Sequence, residues 1–189
     1  QKFRDRGWTP KIFTYQAGDK WVDYSELYTA YKWEEIEFKT NMAPGTEFEI
    51  EIQTGTAPSY FELKNLTCSN LYMLNAPVPL KMKYTGTDGK FSVRGICISG
   101  FEIGTEAEIT DFSCSNPASM IYISCNNQAL SSIDLSKYEN LKDLTLKYNF
   151  LQELDLSQLP KLYNLTCTGN LLTRLDVRNN PDLHFLKCD

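Results

Sequence analysis

The last third of the chain repeats itself every 21 residues. At that interval stand Cys125, Leu146, Cys167 and Cys188. A triplet of the form L-x-x-L-x-L occurs twice in each period, and the six triplets are Leu130/Ile133/Leu135, Leu141/Leu144/Leu146, Leu151/Leu154/Leu156, Leu162/Leu165/Cys167, Leu172/Leu175/Val177 and Leu183/Leu186/Cys188. A fixed period of this size is the signature of an array in which one structural unit stacks on the next. The period therefore constrains residues 120–188 to a stack of similar coils.

Each triplet also predicts a local structure. Its last two apolar residues flank a polar one, which is the period of a strand with one buried face. The four or five residues before the next triplet are rich in Asn, Ser, Lys and Pro, the composition of turns. Two such strands per period, read always in the same direction, predict coils whose like strands pair in parallel. We therefore predict a mainly β solenoid with two short parallel strands per 21-residue coil.

One stretch makes the pattern specific. Residues Leu162 to Val177 read LYNLTCTGNLLTRLDV, which matches L-x-x-L-x-C-x-x-N-x-L-x-x-L-D-L almost letter for letter. This pattern resembles that of the bacterial leucine-rich repeat family, in its irregular variety with 21-residue repeats. The resemblance implies a leucine-rich repeat solenoid whose strand-bearing face commonly binds the ligand, in a protein that is exported or attached to the cell surface. Gln128 departs from the pattern, because it occupies the Asn position of the first clear repeat.

The chain is predicted to divide near residue 97. Residues 98–189 form the predicted solenoid, and residues 1–97 form a β-rich N-terminal cap region that covers the apolar edge of the first coil. The cap opens with an aromatic-rich lead in which Tyr24, Leu27 and Tyr28 begin a helical spacing that Tyr31 completes. This spacing predicts one short helix over about residues 24–33. Alternating apolar and polar residues predict strands over 35–97.

Charge and hydropathy exclude several classes of partner. The 189 residues carry a formal net charge of −5 without a clustered basic face, which argues against nucleic acid and against anionic lipid. No apolar run approaches the length of a membrane span. The sequence begins at Gln1, which we interpret as a mature or trimmed product. Together with the resemblance above, which implies export, this leads us to expect an exported protein, with a lipid anchor in a removed segment as one way to hold it at the surface.

The cysteines are predicted to be buried thiols. Cys125, Cys167 and Cys188 occupy an inward strand position that Leu146 also fills, and Cys114 fits the same pattern. Stacked parallel strands hold their side chains parallel, a poor arrangement for the torsion of a disulfide. The state of two further cysteines, Cys68 and Cys97, stays open. Zinc is disfavoured, since there is one histidine and no C-x-x-C pair.

No catalytic constellation is visible in the sequence. His184 is the only histidine, and neither a nucleophile nor an orienting carboxylate can be assigned to it. The motifs of serine hydrolases, P-loop proteins, dinucleotide-binding proteins and metalloproteases are absent. Because carboxylate pairs can be hidden in any sequence, a catalytic role stays open as an alternative. We predict a protein that is not an enzyme and uses no cofactor.

Two polar columns recur with the repeat. Asp134, Asp155 and Asp176 stand at outward strand positions and would stack in one column, where a weak candidate site for a cation competes with hydrogen bonding to nearby turns. The second column contains Asn149 and Asn170, which follow the Cys-type strand. An Asn side chain at that position can satisfy turn backbone groups, so its predicted role is structural.

The outward positions of the Cys-type sheet are the predicted binding face. They vary from coil to coil while the inward positions hold, and they comprise Tyr122, Ser124, Asp143, Thr145, Asn164, Thr166, Phe185 and Lys187. A rigid scaffold with a variable polar sheet suits recognition of a protein or a glycan. Two alternatives stay open: a structural spacer or lead-in module within a larger surface protein, and a carbohydrate-binding protein that uses its N-terminal aromatic residues.

The C-terminal end of the stack predicts self-association. The strand that carries Leu183, Leu186 and Cys188 has no further coil after it in the sequence, so its edge and its apolar ridge would be open. Solenoids usually end in a polar cap, and none is visible. A symmetric homodimer through this open end is the simplest way to cover it.

Overall fold

The computed structural model describes residues 16–17, 20–21, 33–54, 61–68 and 79–188, and these residues adopt a mainly β fold. The strands are β1 (Gln16–Ala17), β2 (Lys20–Trp21), β3 (Trp33–Thr40), β4 (Glu47–Thr54), β5 (Phe61–Lys64), β6 (Leu66–Cys68), β7 (Leu80–Tyr84), β8 (Lys90–Ile96), β9 (Ile98–Ile103), β10 (Ile109–Cys114), β11 (Tyr122–Cys125), β12 (Asp143–Thr145), β13 (Asn164–Thr166) and β14 (Phe185–Lys187). Short turns of 3-10 helix, Thr105–Ala107 and Pro117–Ser119, lead into β10 and β11.

The longer strands form two sheets. An antiparallel sheet of four strands has the order β10-β3-β8-β5, and a mixed sheet of eight strands has the order β14-β13-β12-β11-β9-β4-β7-β6. β1 and β2 form a separate antiparallel pair. The alternation predicted over 35–97 is confirmed in β4, which buries Phe48 and Ile50, and in β7, which buries Met82 and Tyr84 between exposed residues. It does not hold in β5 and β8, where Glu62 and Ser92 are buried together with their apolar neighbours.

Aromatic rings join the two sheets. Phe38 of β3 is fully buried, and its ring centroid lies 4.8 Å from that of Phe91 on β8. The same ring meets Phe101 of β9 edge-on at 5.1 Å, and Phe112 of β10 packs edge-on against Phe101 at the same distance. Because Phe101 belongs to the larger sheet and the other three to the smaller, this cluster holds the sheets together through apolar burial and favourable ring geometry.

β9 links the antiparallel and parallel parts of the larger sheet. On one side it runs antiparallel to β4, with Phe101 opposite Ile52. On its other side it runs parallel to β11, with Phe101 opposite Ile123. The eight-stranded sheet is therefore continuous from the pair of sheets joined by the aromatic rings, here called the sandwich, into the coils. The division of the chain at residue 97 stays a prediction.

The predicted solenoid is confirmed as about four turns of a β-solenoid with 21-residue spacing. Along one column of the parallel sheet, Ile123 lies opposite Leu144, Leu144 opposite Leu165, and Leu165 opposite Leu186. The first three of these side chains are buried. Each coil thus covers the apolar ridge of the coil before it, which a lone coil could not do.

The prediction of a second strand in each coil is wrong. Residues 130–135, 151–156 and 172–177 form no strand, although they carry the same triplet as β11 to β14. Successive second legs are joined by backbone bonds from Phe150 N to Leu130 O and from Leu171 N to Leu151 O, both 2.8 Å long. These bonds come once per coil, which is too sparse for a ladder.

Aspartate explains the difference between the two legs. Asp134, Asp155 and Asp176 stand between the last two apolar residues of the second leg, and each accepts a hydrogen bond from the backbone N–H two residues ahead. A short acceptor side chain that captures a neighbouring N–H favours a turn and competes with the ladder of a sheet. On the first leg Tyr122 and Thr145 occupy outward positions, and such residues suit a strand.

Two successive tight turns bring the chain back to the first leg. Between β12 and β13, Leu159 N donates to Leu156 O, and Leu162 N donates to Leu159 O, each at 3.1 Å. Leu159 is fully buried, and Tyr138, at the equivalent position one coil earlier, is only 4% exposed. This inward turn position is a third buried column that the triplets did not predict.

Burial falls toward the last coil. Leu165 is fully buried, but Leu183 is half-buried and Leu186 keeps 42% of its surface exposed. Cys125 and Cys167 are buried as predicted, and none of the six cysteines is disulfide-bonded. The prediction that Cys188 is buried is wrong, because no described residue packs on the outer side of β14.

Part of the predicted cap lies outside the described residues. The helix predicted over about 24–33 falls there, except for Trp33, which begins β3. Most of the N-terminal aromatic residues lie there as well. In the part of the chain that the structure describes, no helix has the length and apolar character needed to cross a membrane.

Candidate binding surface

The residues predicted to form the binding face lie in two columns in register along the parallel sheet. The first column is Tyr122, Asp143, Asn164 and Phe185, and the second is Ser124, Thr145, Thr166 and Lys187. Neighbouring parallel strands lie about 4.8 Å apart, so the first column offers a different side chain at every such step, whereas the second repeats threonine at Thr145 and Thr166. The register predicted from the repeat is therefore present in the structure.

Tyr122 is fixed by a neighbour on β9. Its hydroxyl donates to Glu102 Oε2 at 2.5 Å. Burial raises the pKa of the Tyr122 hydroxyl, and the bond to the Glu102 carboxylate raises it further. Gly100 lies opposite Tyr122, where a Cβ atom would come within 2.5 Å of the Tyr122 carbonyl oxygen. The hydroxyl bond thus holds the Tyr122 ring, and the close approach of the Tyr122 backbone to β9 requires glycine at position 100.

Ser124 is not at the surface. Only 1% of its area is exposed, and its hydroxyl accepts a hydrogen bond from Asn126 Nδ2 at 3.0 Å. The Asn126 side-chain oxygen accepts a bond from Lys147 N of the next coil at 3.0 Å. Ser124 therefore belongs to a side-chain network that ties two coils together and cannot touch a ligand directly.

The later coils offer more open positions. Asn164 Nδ2 donates to Asp143 Oδ1, so these half-buried side chains bond to each other across two strands. Thr145 and Thr166 are half-buried, and Lys187 is exposed. Phe185 keeps 50% of its ring exposed. The face is polar in its middle coils and aromatic at its C-terminal edge.

A buried ladder of amides supports this face from inside the turn. Asn149 Oδ1 accepts a bond from Leu130 N at 3.2 Å, and its Nδ2 donates to Cys125 O at 2.7 Å. Asn170 bonds in the same way to Leu151 N and Leu146 O. The predicted structural role of both asparagines fits these bonds, which satisfy backbone groups of the preceding coil.

Gln128 extends the ladder by one coil. Its Oε1 accepts a bond from Ile109 N at 2.8 Å, and its Nε2 donates to Gly104 O at 2.9 Å. The donor lies 19 residues earlier and the acceptor 24 residues earlier, as for Asn149. The longer side chain therefore reaches equivalent backbone groups, and the departure from the repeat pattern leaves the turn hydrogen-bonded.

The aspartate column binds the chain's own turns. Asp134 Oδ1 accepts from Ser136 N at 3.0 Å, and Asp155 Oδ1 accepts from Ser157 N at 2.9 Å. Asp176 accepts from Arg178 N and pairs with the Arg178 guanidinium, which lowers the pKa of the carboxyl to about 2. Among the described residues no group of three or more His, Cys, Asp and Glu side chains is placed to hold a metal ion.

His184 stacks on Tyr163 of the preceding coil, with ring centroids 5.1 Å apart and an interplanar angle of 15°. The histidine is exposed and directly precedes β14. Beside the pair lies a shallow recess of about 700 Å³ lined by Lys142, Lys161, Tyr163 and Asp182. Nothing in this arrangement positions a nucleophile against the imidazole.

Sequence reasoning did not find the most exposed apolar residues. Tyr148, Phe150 and Leu171 are 57%, 58% and 55% exposed, and all three lie in the turn that follows the first leg. A signal for part of this turn is present in the sequence: Asn127, Tyr148 and Gly169 lie 21 residues apart, and all three have positive φ. Asn and Gly at two of three positions indicate a left-handed turn.

Two N-terminal aromatic residues that the structure describes are not open platforms for sugar. Phe38 is fully buried in the core. The Trp33 ring is half-buried beneath the guanidinium of Arg94, whose carbon lies 5.6 Å from the ring centroid. Of the remaining aromatic residues of the predicted platform, Trp21 ends β2 and the others lie outside the described residues.

Comparison of the chain with protein-family models, with curated proteins and with solved structures gives no match in any of the three.

Proposed function

We propose that this protein is a non-enzymatic binding module of an exported bacterial surface protein, and that the outer face of its parallel sheet recognises a protein or a glycan. The supporting observation is the column of Tyr122, Asp143, Asn164 and Phe185. Its members change from coil to coil, while the inward residues of the same strands stay apolar. A rigid repeated core with an unrepeated surface is the arrangement that repeat proteins use for recognition.

The proposal includes membership of the leucine-rich repeat class with 21-residue repeats. Support comes from the sequence pattern between Leu162 and Val177 and from the amide ladder of Gln128, Asn149 and Asn170. The export and surface location follow from the same resemblance. A signal sequence and a lipid-attachment cysteine ahead of Gln1 in the complete gene product would support them, and large flanking domains would favour a structural spacer instead.

The face is tested with two unbiased probes, a glycan array and a phage-displayed library of random peptides. Each ligand selected on the wild-type protein is measured against the triple variant Tyr122→Ala/Asn164→Ala/Phe185→Ala. We expect binding to be lost with little change in stability, because outward positions on a sheet contribute little to the core.

A matched control lies on the opposite leg of the coils. Ser131, Gln152 and Thr173 are exposed and 21 residues apart, so their triple alanine variant changes one residue per coil away from the face. Binding that survives both triple variants would contradict the proposal, as would the absence of any ligand from both probes.

The open edge of β14 is the proposed site of self-association. All residues of β14 are exposed, and Phe185 and Leu186 present 50% and 42% of their surfaces. An unpaired strand edge with apolar side chains is a template for a second copy, and a two-fold axis would pair the two edges. Light scattering over a concentration series should show a dimer that Leu186→Lys abolishes. A monomer at all concentrations, unchanged by that substitution, would contradict the proposal.

A further inference from the structure

Three apolar side chains form a ridge at one edge of the proposed binding face. Tyr148, Phe150 and Leu171 are the most exposed large apolar residues that the structure describes. Phe150 and Leu171 occupy the same position in successive coils, and the Tyr148 ring lies against Gly169 of the coil that carries Leu171. An exposed apolar patch of this kind marks an interaction site more often than an accident of surface composition.

The backbone at Tyr148 is strained. Its φ is +54°, in the left-handed region, where a bulky side chain is a genuine outlier. The equivalent residues of the neighbouring coils are Asn127, with φ of +54°, and Gly169, with φ of +71°. Asparagine and glycine tolerate this conformation, so the turn can be built without an aromatic residue.

The repeat does not require the ridge either. In the preceding coil the positions of Tyr148 and Phe150 are taken by Asn127 and Ala129. The Tyr148 ring needs glycine in the next coil, because a Cβ atom on Gly169 would lie 2.3 Å from Tyr148 Cδ1. A strained aromatic residue that depends on a neighbouring glycine, and that another coil replaces with asparagine, is explained better by binding than by folding.

The chemistry beside the ridge favours a protein over a sugar. The nearby amides of Asn149 and Asn170 are held by backbone groups of the coils. Phe150 and Leu171 have no polar atoms in their side chains, which leaves the Tyr148 hydroxyl as the polar group of the ridge. A sugar needs several hydrogen-bond partners around an aromatic ring, whereas an apolar side chain needs contact area and exclusion of water.

We propose that Tyr148, Phe150 and Leu171 anchor apolar side chains of a protein partner that binds alongside the sheet face. This inference rests on the proposed function and specifies the class of partner. Aromatic and aliphatic anchors of this kind carry most of the binding free energy in protein interfaces.

The test uses peptides selected from a phage-displayed random library on the wild-type protein, synthesised with a fluorescent label and measured by anisotropy. Tyr148→Asn and the double variant Phe150→Ser/Leu171→Ser should each weaken the Kd about tenfold or more. Ile121→Asn is the matched control, since Ile121 is 41% exposed at the opposite edge of the strands, and it should leave the Kd unchanged.

The melting temperature separates binding from structure. Tyr148→Asn should keep or raise the melting temperature, because asparagine accepts the left-handed backbone that strains tyrosine. A lower melting temperature would identify the ring as a structural residue and overturn the inference.

The remaining outcomes separate this inference from the proposed function. If peptide binding is lost only in the sheet-face triple variant, the inference about the ridge is overturned and the proposed binding face stands. Binding to glycans without any selected peptide would do the same. Failure of both libraries would overturn both.

Discussion

The antiparallel and parallel halves of the eight-stranded sheet bury apolar surface in different ways. Beside the antiparallel half, rings of the four-stranded sheet interlock with those of the larger sheet: Phe38 meets Phe91 of its own sheet and Phe101 of β9, residues 53 and 63 positions away in sequence. In the parallel half, Leu144 and Leu165 meet their equivalents 21 residues away. The difference teaches that damage to the aromatic core should spread through the fold, while damage to a coil should stay near that coil.

The largest expected effect is in the aromatic core. Phe38→Ala should lower the free energy of unfolding by about 3–5 kcal/mol, because the removed ring leaves a cavity between the sheets. Urea denaturation followed by circular dichroism measures it. Lys39→Ala, on the exposed side of the same strand, is the control. Amide hydrogen exchange in this variant should accelerate in the coils as well as in the sandwich. Acceleration confined to the sandwich would contradict the prediction that damage to the aromatic core spreads through the fold.

The second effect distinguishes an inner coil from the last one. Leu165→Ala should cost about 2–5 kcal/mol, since this side chain is fully buried. Leu186→Ala, at the paired position of β14, should cost less than about 1 kcal/mol because 42% of Leu186 is exposed. Urea midpoints of the two variants give the comparison. Equal losses would show that the coil of β14 is as well covered as the coil of β13.

A smaller loss is expected in the amide ladder. Asn149→Ala should lower the free energy of unfolding by about 1–3 kcal/mol, because Leu130 N and Cys125 O lose a buried partner. Asn179→Ala, at an exposed turn position, should have an effect within about 0.5 kcal/mol and serves as the control. Thermal denaturation at neutral pH compares the two variants. Similar melting temperatures would contradict a stabilising role for the amide ladder.

The smallest effect is electrostatic. The pKa of Asp176 is lowered to about 2 by its bonds from Arg178, so the carboxylate contributes stability above its unfolded pKa and loses it as pH falls through the folded value. Asp176→Asn should therefore lie slightly below wild type at neutral pH, and the gap should close between about pH 4 and pH 2. Urea midpoints across that range measure the gap, with Asp182→Asn as control. A gap independent of pH would contradict the assignment.

The repeat was predictable because stacking imposes one chemical demand every 21 residues. The period is visible in the sequence at Leu144 and Leu165 and in the column that contains Cys125 and Cys167. The absent second strand was not predictable from the triplets, because both legs carry the same apolar spacing. The deciding feature was the aspartate of the second leg, whose carboxylate holds the next turn. Periodicity reports burial, whereas the pairing of strands depends on where each backbone N–H finds its acceptor.

The candidate site was predictable only in part. The 21-residue register correctly predicted that Tyr122, Asn164 and Phe185 lie in one column of the sheet. The burial of Ser124 was not predicted, and neither were the bonds by which Asn126 joins Ser124 to the next coil, because the 21-residue period carries no signal for them. The ridge at Tyr148 was missed because exposure is decided by the turn's backbone and not by apolar spacing.

The double role of β9 has a consequence for the order of folding. A solenoid coil alone cannot bury its ridge, so the first coil is a costly nucleus unless something precedes it. β9 provides that nucleus, since β4 and the aromatic core already hold it in place when its other edge meets β11. We expect the coils to fold in chain order from β11 to β14, because each new strand pairs with the one before it after closing a loop of only one repeat length. Such local closure is fast, and it follows the direction in which the chain is synthesised.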